Sequence, residues 1–146
     1  MDRTEVGDMV ERIVEKTLEL DAPIERVWRA ITDAGEIRRW FDDHTDFEAT
    51  PGYEGAFVWD AHGSFAVKVV EAEAPRRVVW SWVHETGVPF AEGGVATTVT
   101  WTLTARKDGG TTLHLRETGF PSEKRRGEND HGWDEELAEL QALLAA

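Results

Sequence analysis

Apolar side chains recur at every second position over several stretches of this chain and at helical spacing over two others. Val14, Lys16, Leu18 and Leu20 alternate with Glu15, Thr17 and Glu19, which predicts a half-buried strand ending at Asp21-Ala22-Pro23. Pro23 suits a helix start, where its missing N–H costs nothing, and Glu25 then sits near the positive end of the helix dipole. Ile24, Val27, Trp28 and Ile31 form one helical stripe, and Asp33 with Glu36 reads as a capping box for a second short helix ending in Trp40-Phe41. A run of strands follows. Phe57 and Trp59 mark one; Phe65, Val67 and Val69 mark the next; Pro75 breaks the chain. Val78, Trp80, Trp82 and His84 then share a face, and after a loop over 87–94 so do Val95, Thr97, Val99, Trp101 and Leu103. The intervening Thr98, Thr100, Thr102 and Thr104 have high strand propensity and can face water. Asp108-Gly109-Gly110 signals a hairpin leading to Leu113, Leu115 and Glu117 on one face. The chain closes with a helix whose stripe is Trp133, Leu137, Leu140 and Leu144. Asp134, Glu135, Glu136 and Glu139 point away from it, and Lys124-Arg125-Arg126 lies in the loop before it.

The order β–α–α–β–β–β–β–β–α predicts an α+β fold: six antiparallel strands in a curved sheet, with the long terminal helix across the concave face. Strong curvature leaves a space between sheet and helix, and small ligands sit in such spaces. Residues 12–146 read as one domain behind a frayed, polar lead-in over 1–11.

Composition narrows the function classes. Sixteen Lys plus Arg against 29 Asp plus Glu gives a net charge of −13, the wrong sign for a nucleic-acid or anionic-membrane surface. With no Cys, disulfides, thiolate chemistry and Cys-based zinc sites are excluded. No targeting or spanning segment is read, so a cytoplasmic location is the expectation. Seven Trp against one Tyr predicts a core or cavity built from indoles.

Three stretches carry a family resemblance: Ala22-Pro23-Ile24-Glu25-Arg26-Val27-Trp28-Arg29-Ala30-Ile31-Thr32-Asp33, then Arg39-Trp40-Phe41, then Glu71 through Trp82 with Ala74-Pro75-Arg76-Arg77 at its centre. Gly110-Thr111-Thr112-Leu113-His114-Leu115, Thr118-Gly119-Phe120 and Gly132-Trp133 complete the set. In this order and spacing the chain resembles the activator of Hsp90 ATPase homologue 1-like family, within the START/Bet v 1-like (SRPBCC) superfamily. The resemblance implies a helix-grip fold with a hydrophobic cavity. It does not imply one activity, since the superfamily spans lipid carriers, hormone receptors and cyclases, nor does it by itself call for an Hsp90-type chaperone as partner.

The expected cavity is lined by Trp40, Phe57, Trp59, Trp80, Trp82, His84, Val99, Trp101, Leu115, Glu117, Trp133 and Leu137. The same indoles also suit a packed core with no cavity. His84 and Glu117 are the polar residues on otherwise inward faces. If buried, Glu117 would have a raised pKa and could act with His84 as an acid–base pair; if both lie at strand ends, they meet solvent instead. His44, His62, His84, His114 and His131 make no metal-binding spacing, and Asp42-Asp43-His44 with Asp46 reads as a solvated acidic loop. No nucleophile elbow, Walker loop or dinucleotide glycine pattern occurs, so neither metal nor cofactor is expected. The leading expectation is a protein that binds a small hydrophobic or aromatic molecule. A cyclase- or hydrolase-like enzyme using His84 and Glu117, and a co-chaperone-like interaction module, are the alternatives, and a second copy of the chain remains a candidate partner.

Overall fold

The computed structural model describes residues 12–90 and 94–146. The lead-in read over 1–11 and part of the loop read over 87–94 lie outside the described residues. Strand β1 (Val14–Leu20) leads into helices α1 (Ile24–Thr32) and α2 (Ala34–Ile37). Six more strands follow: β2 (His44–Asp46), β3 (Glu54–Trp59), β4 (Gly63–Glu73), β5 (Arg77–Val83), β6 (Ala96–Ala105) and β7 (Thr111–Thr118). Helix α3 (Glu123–Ala145) ends the chain.

All pairings are antiparallel, in the order β1-β7-β6-β5-β4-β3-β2. The two short helices therefore carry the chain from one edge of the sheet to the other, and a meander brings it back beside β1. Alternation sets the inward face: Thr97, Val99, Trp101 and Leu103 on β6 and Leu113, Leu115 and Glu117 on β7 are all buried. On β4 the register shifts between Val69 and Glu71. Val70, on the outward face with Lys68, is 55% exposed.

The helix starts have local causes. The Pro23 carbonyl accepts from the Arg26 and Val27 amides, and Asp33 Oδ1 accepts from the Glu36 amide at 3.1 Å. The capping box is one-sided, because the Glu36 carboxylate turns to Arg26 at 2.8 Å instead.

Four expectations are corrected. The sheet has seven strands, not six. The stretch read as a solvated acidic loop contains β2, and its Asp42 is buried, accepting from Thr45 Oγ1 and from the Val58 amide. Gly55 permits the β2 pairing, since a Cβ there would lie 1.9 Å from the Asp46 carbonyl oxygen. The terminal helix begins at Glu123, so Lys124-Arg125-Arg126 forms its first turn, capped by Ser122 Oγ accepting from the Arg125 amide at 3.1 Å. Glu136, read as pointing away, is half-buried three residues after Trp133. In the stripe, Trp133, Leu137 and Leu140 are buried, while Leu144 is half-buried beside Leu143.

Candidate functional site

An open cleft of about 950 Å³ lies between the N-terminal half of α3 and the ends of β3, β4 and β5. Its apolar lining comes from five separate segments: Phe41 after α2, Trp59 ending β3, Phe65 on β4, Trp82 on β5 and Trp133 on α3. Phe41 stacks on Trp133 with centroids 5.5 Å apart and planes at 12°, and meets Trp59 edge-on at 5.0 Å. The Trp59 indole donates to the Phe41 carbonyl at 2.8 Å, which ties the end of β3 to the turn after α2.

The structure divides the expected cavity residues into two groups. Trp59, Trp82, His84 and Trp133 line the cleft. Trp40, Phe57, Trp80, Val99, Trp101, Leu115 and Leu137 do not; they are packed in the core at 0–5% exposure. Their rings interlock, with Trp80 5.7 Å from Trp101 and 5.1 Å from Phe57, and Trp101 edge-on to Trp133 at 5.5 Å. So many large rings on one concave face fill its inner half, and the open cleft lies where β3–β5 pass α3. Phe41, Phe65, His62, Asn129 and Glu136 also line the cleft, although none is among the cavity residues expected from the sequence. Asn129 was within reach: it lies four residues before Trp133, on the same helix face.

Glu117 lies beneath the cleft and is fully buried. The Trp82 indole donates to its Oε2 at 2.9 Å, the Trp133 indole to its Oε1 at 2.7 Å, and Thr97 Oγ1 to Oε2. Asn129 Nδ2 donates at 3.1 Å, and His84 Nε2 stands 3.7 Å from Oε2. Residues from β5, β6 and α3 thus converge on one carboxylate of β7, which fixes the angle of two cleft-lining indoles. Both polar residues do point inward, so the solvent-exposed alternative does not hold. Burial pushes the Glu117 carboxyl up, but the bonds from His84, Thr97, Trp82 and Trp133 outweigh it and hold the pKa below the ordinary range. This reverses the expected direction: an ionised Glu117 accepts hydrogen bonds and has no proton to donate to a substrate.

Glu136, in the cleft wall, behaves oppositely. Burial, then the nearby carboxylates of Glu135, Glu139 and Asp42, push its carboxyl up to about 7. At the other end of the cleft Lys124 and Arg125 supply positive charge, Arg125 lying 4.0 Å from Glu128. Among the described residues no group of three or more His, Asp or Glu is placed to hold a metal ion, and no helix is long and apolar enough to cross a membrane.

Over residues 21–145 the sequence matches the family described as activator of Hsp90 ATPase homolog 1-like protein. The chain belongs to that family. Its members' fold recurs in solved structures. Protein MLL2253 from Mesorhizobium loti is 27% identical with a TM-score of 0.80, over 91% of this chain and 96% of that one. CalU16 from Micromonospora echinospora is 26% identical with a TM-score of 0.70, over 92% and 85%. The Aha1 dimer from Colwellia psychrerythraea, 18% identical with a TM-score of 0.75 over 93% and 96%, shares the fold. No protein of curated function matches the sequence.

Proposed function

We propose that this member of the family binds a flat, largely apolar small molecule in the open cleft between α3 and the ends of β3–β5. The observation that carries this reading is five aromatic rings, from five separate segments, lining one open space that the packed core beside it leaves unfilled. Such a surface suits a planar ring system, which stacks on or abuts indole and phenyl faces at little entropic cost. Two of those rings are held by bonds to a buried carboxylate, so the cleft is organised before a ligand arrives.

The test uses N-phenyl-1-naphthylamine, an uncharged aromatic probe. Binding should change the tryptophan emission of the full chain and raise its melting temperature by mass action. Phe65→Ala and Trp82→Ala should each weaken the response. Phe65 is half-buried at the cleft, so its variant tests the lining without touching the Glu117 network. The absence of both an emission change and a melting shift, at probe concentrations up to its solubility, would refute the proposal.

An interaction module would need a contiguous exposed apolar patch. Among the described residues the exposed large apolar side chains are Val70 and Val95, on different strands or loops, which favours the small-molecule reading.

A further inference from the structure

We infer that His84 Nδ1 is the polar recognition point of the cleft, and that the preferred ligand is a flat aromatic molecule carrying an acidic hydroxyl, a phenol or enol. This deepens the binding reading above and rests on it.

The argument follows protons through the network. An ionised carboxylate can only accept, so the Thr97 hydroxyl spends its single proton on Glu117 Oε2. Thr97 Oγ1 also lies 2.6 Å from His84 Nε2, and with its proton already committed it must be the acceptor there. His84 Nε2 is therefore the donor. In the neutral imidazole that choice leaves the lone pair on Nδ1. The His84 side chain is only 6% exposed, bounded edge-on by Trp82 at 5.7 Å and Phe120 at 6.2 Å. Nδ1 has no hydrogen-bond partner among the described residues, and His84 lines the cleft. Among the polar groups of the lining, which include Thr86, Ser122, Glu128, Asn129, Glu135 and Glu136, His84 thus presents its lone pair in a fixed orientation beside the aromatic rings.

That acceptor is also a base with a prepared counterion. If a ligand hydroxyl gives its proton to Nδ1, the O–H bond breaks and an N–H bond forms. The ligand becomes an oxyanion and His84 an imidazolium. No other reactant is needed. Glu117, 3.7 Å from Nε2, balances the new positive charge, and Thr97 keeps the ring oriented. Lys124 and Arg125 in the cleft lining place positive charge there, alongside the carboxylates of Glu128, Glu135 and Glu136. A molecule of the same shape without the hydroxyl leaves Nδ1 unsatisfied once the cleft is occupied, which weakens its binding.

The test compares 7-hydroxycoumarin with 7-methylcoumarin, which has the same flat body and no donor. The wild-type chain should bind the hydroxyl compound about tenfold more tightly, as expected for a bond that gains charge. Bound 7-hydroxycoumarin should also show the absorption band of its anion at a pH where the free compound is mostly neutral. His84→Gln, which cannot take up a proton, should lose both the preference and the band. Should that variant fail to fold, nitrogen-15 NMR of the histidine rings in the wild-type chain decides. The His84 Nδ1 resonance should move from an unprotonated to a protonated position when 7-hydroxycoumarin is added. Equal affinity for the two compounds, persistence of the preference in folded His84→Gln, or a lone pair found on Nε2 would overturn the inference while leaving cleft binding intact. Failure of both compounds to bind would overturn cleft binding and the inference together.

Discussion

Replacing Glu117 by glutamine preserves the volume of a side chain at 0% exposure but turns one acceptor oxygen into a donor. Trp82 and Thr97 donate to Oε2, Trp133 donates to Oε1, and Asn129 reaches both. Whichever way the amide turns, an indole N–H then faces an NH2 group, and the remaining bonds lose their charge assistance. Bonds to charged groups contribute about 1.5–3 kcal/mol each and neutral ones about 0.5–1.5 kcal/mol. One bond lost and the others weakened gives a destabilisation of about 3 kcal/mol, at the low end for breaking a buried charged network. The effect has a pH signature. The folded-state pKa of Glu117 lies below its ordinary value, so its contribution is complete above the unfolded pKa of about 4.3 and is lost as pH falls through the folded pKa. Urea unfolding, followed by circular dichroism at about pH 7, 5 and 4, should show a wild-type advantage of about 3 kcal/mol at the first two values and a smaller one at the third. A difference below about 0.5 kcal/mol at neutral pH, or one that widens as pH falls, would show that Glu117 is not the ionised centre of this network.

Glu136→Gln should act in the opposite sense. Its folded pKa is raised to about 7 by burial and by the Glu135, Glu139 and Asp42 carboxylates, so stability present below the unfolded pKa is lost as pH rises through about 7. After discounting for solvent screening of this half-exposed side chain, the variant should be more stable than wild type by about 1 kcal/mol at about pH 8 and unchanged at about pH 4; a destabilised variant at about pH 8 defeats this. Trp133→Phe should cost about 1.5–3 kcal/mol more than Trp101→Phe in the same unfolding assay. Both rings are buried, but the Trp133 indole donates to Glu117 while the Trp101 N–H has no partner among the described residues, so equal losses would contradict the network. Gly127→Ala should stabilise α3 by about 0.5–1 kcal/mol, because a Cβ there meets no atom within 4 Å and glycine is a poor helix former; a drop in unfolding midpoint would refute this.

Where the pattern and the fold agree, one periodicity was long enough to outvote local noise. The alternation of Thr97, Val99, Trp101 and Leu103 with four threonines runs through most of β6, and Leu113, Leu115 and Glu117 continue it on β7, all inward residues buried. Strand β2 has no such signal. His44, Thr45 and Asp46 are all polar, and they are held as a strand by pairing with Ala56, Phe57 and Val58, which only the folded sheet brings alongside. The start of α3 was hidden similarly. Gly127, Asn129, Asp130 and Gly132 have low helix propensity, so the run from Glu123 to Gly132 reads as a loop. Tertiary contacts keep it helical: Asn129 reaches Glu117, and Asp130 and Asp134 pair with Lys16 on β1 at 2.8 Å.

The sequence by itself determined that Trp59, Trp80, Trp82 and Trp101, with the polar His84 and Glu117, would face the concave side of the sheet, because side-chain direction along a strand follows from its period of two. It could not say which of those indoles would pack against one another and which would border open space. That depends on where α3 crosses the sheet, and on Phe41, whose place over Trp133 is set by the turn after α2. Nor could it give the sign of the Glu117 pKa shift. Burial alone raises a carboxyl, and the reversal needs His84, Thr97, Trp82 and Trp133, up to 35 residues away along the chain, converging on one carboxylate. Periodicity fixes which face a side chain occupies, whereas charge state and open volume depend on what the rest of the fold places opposite it.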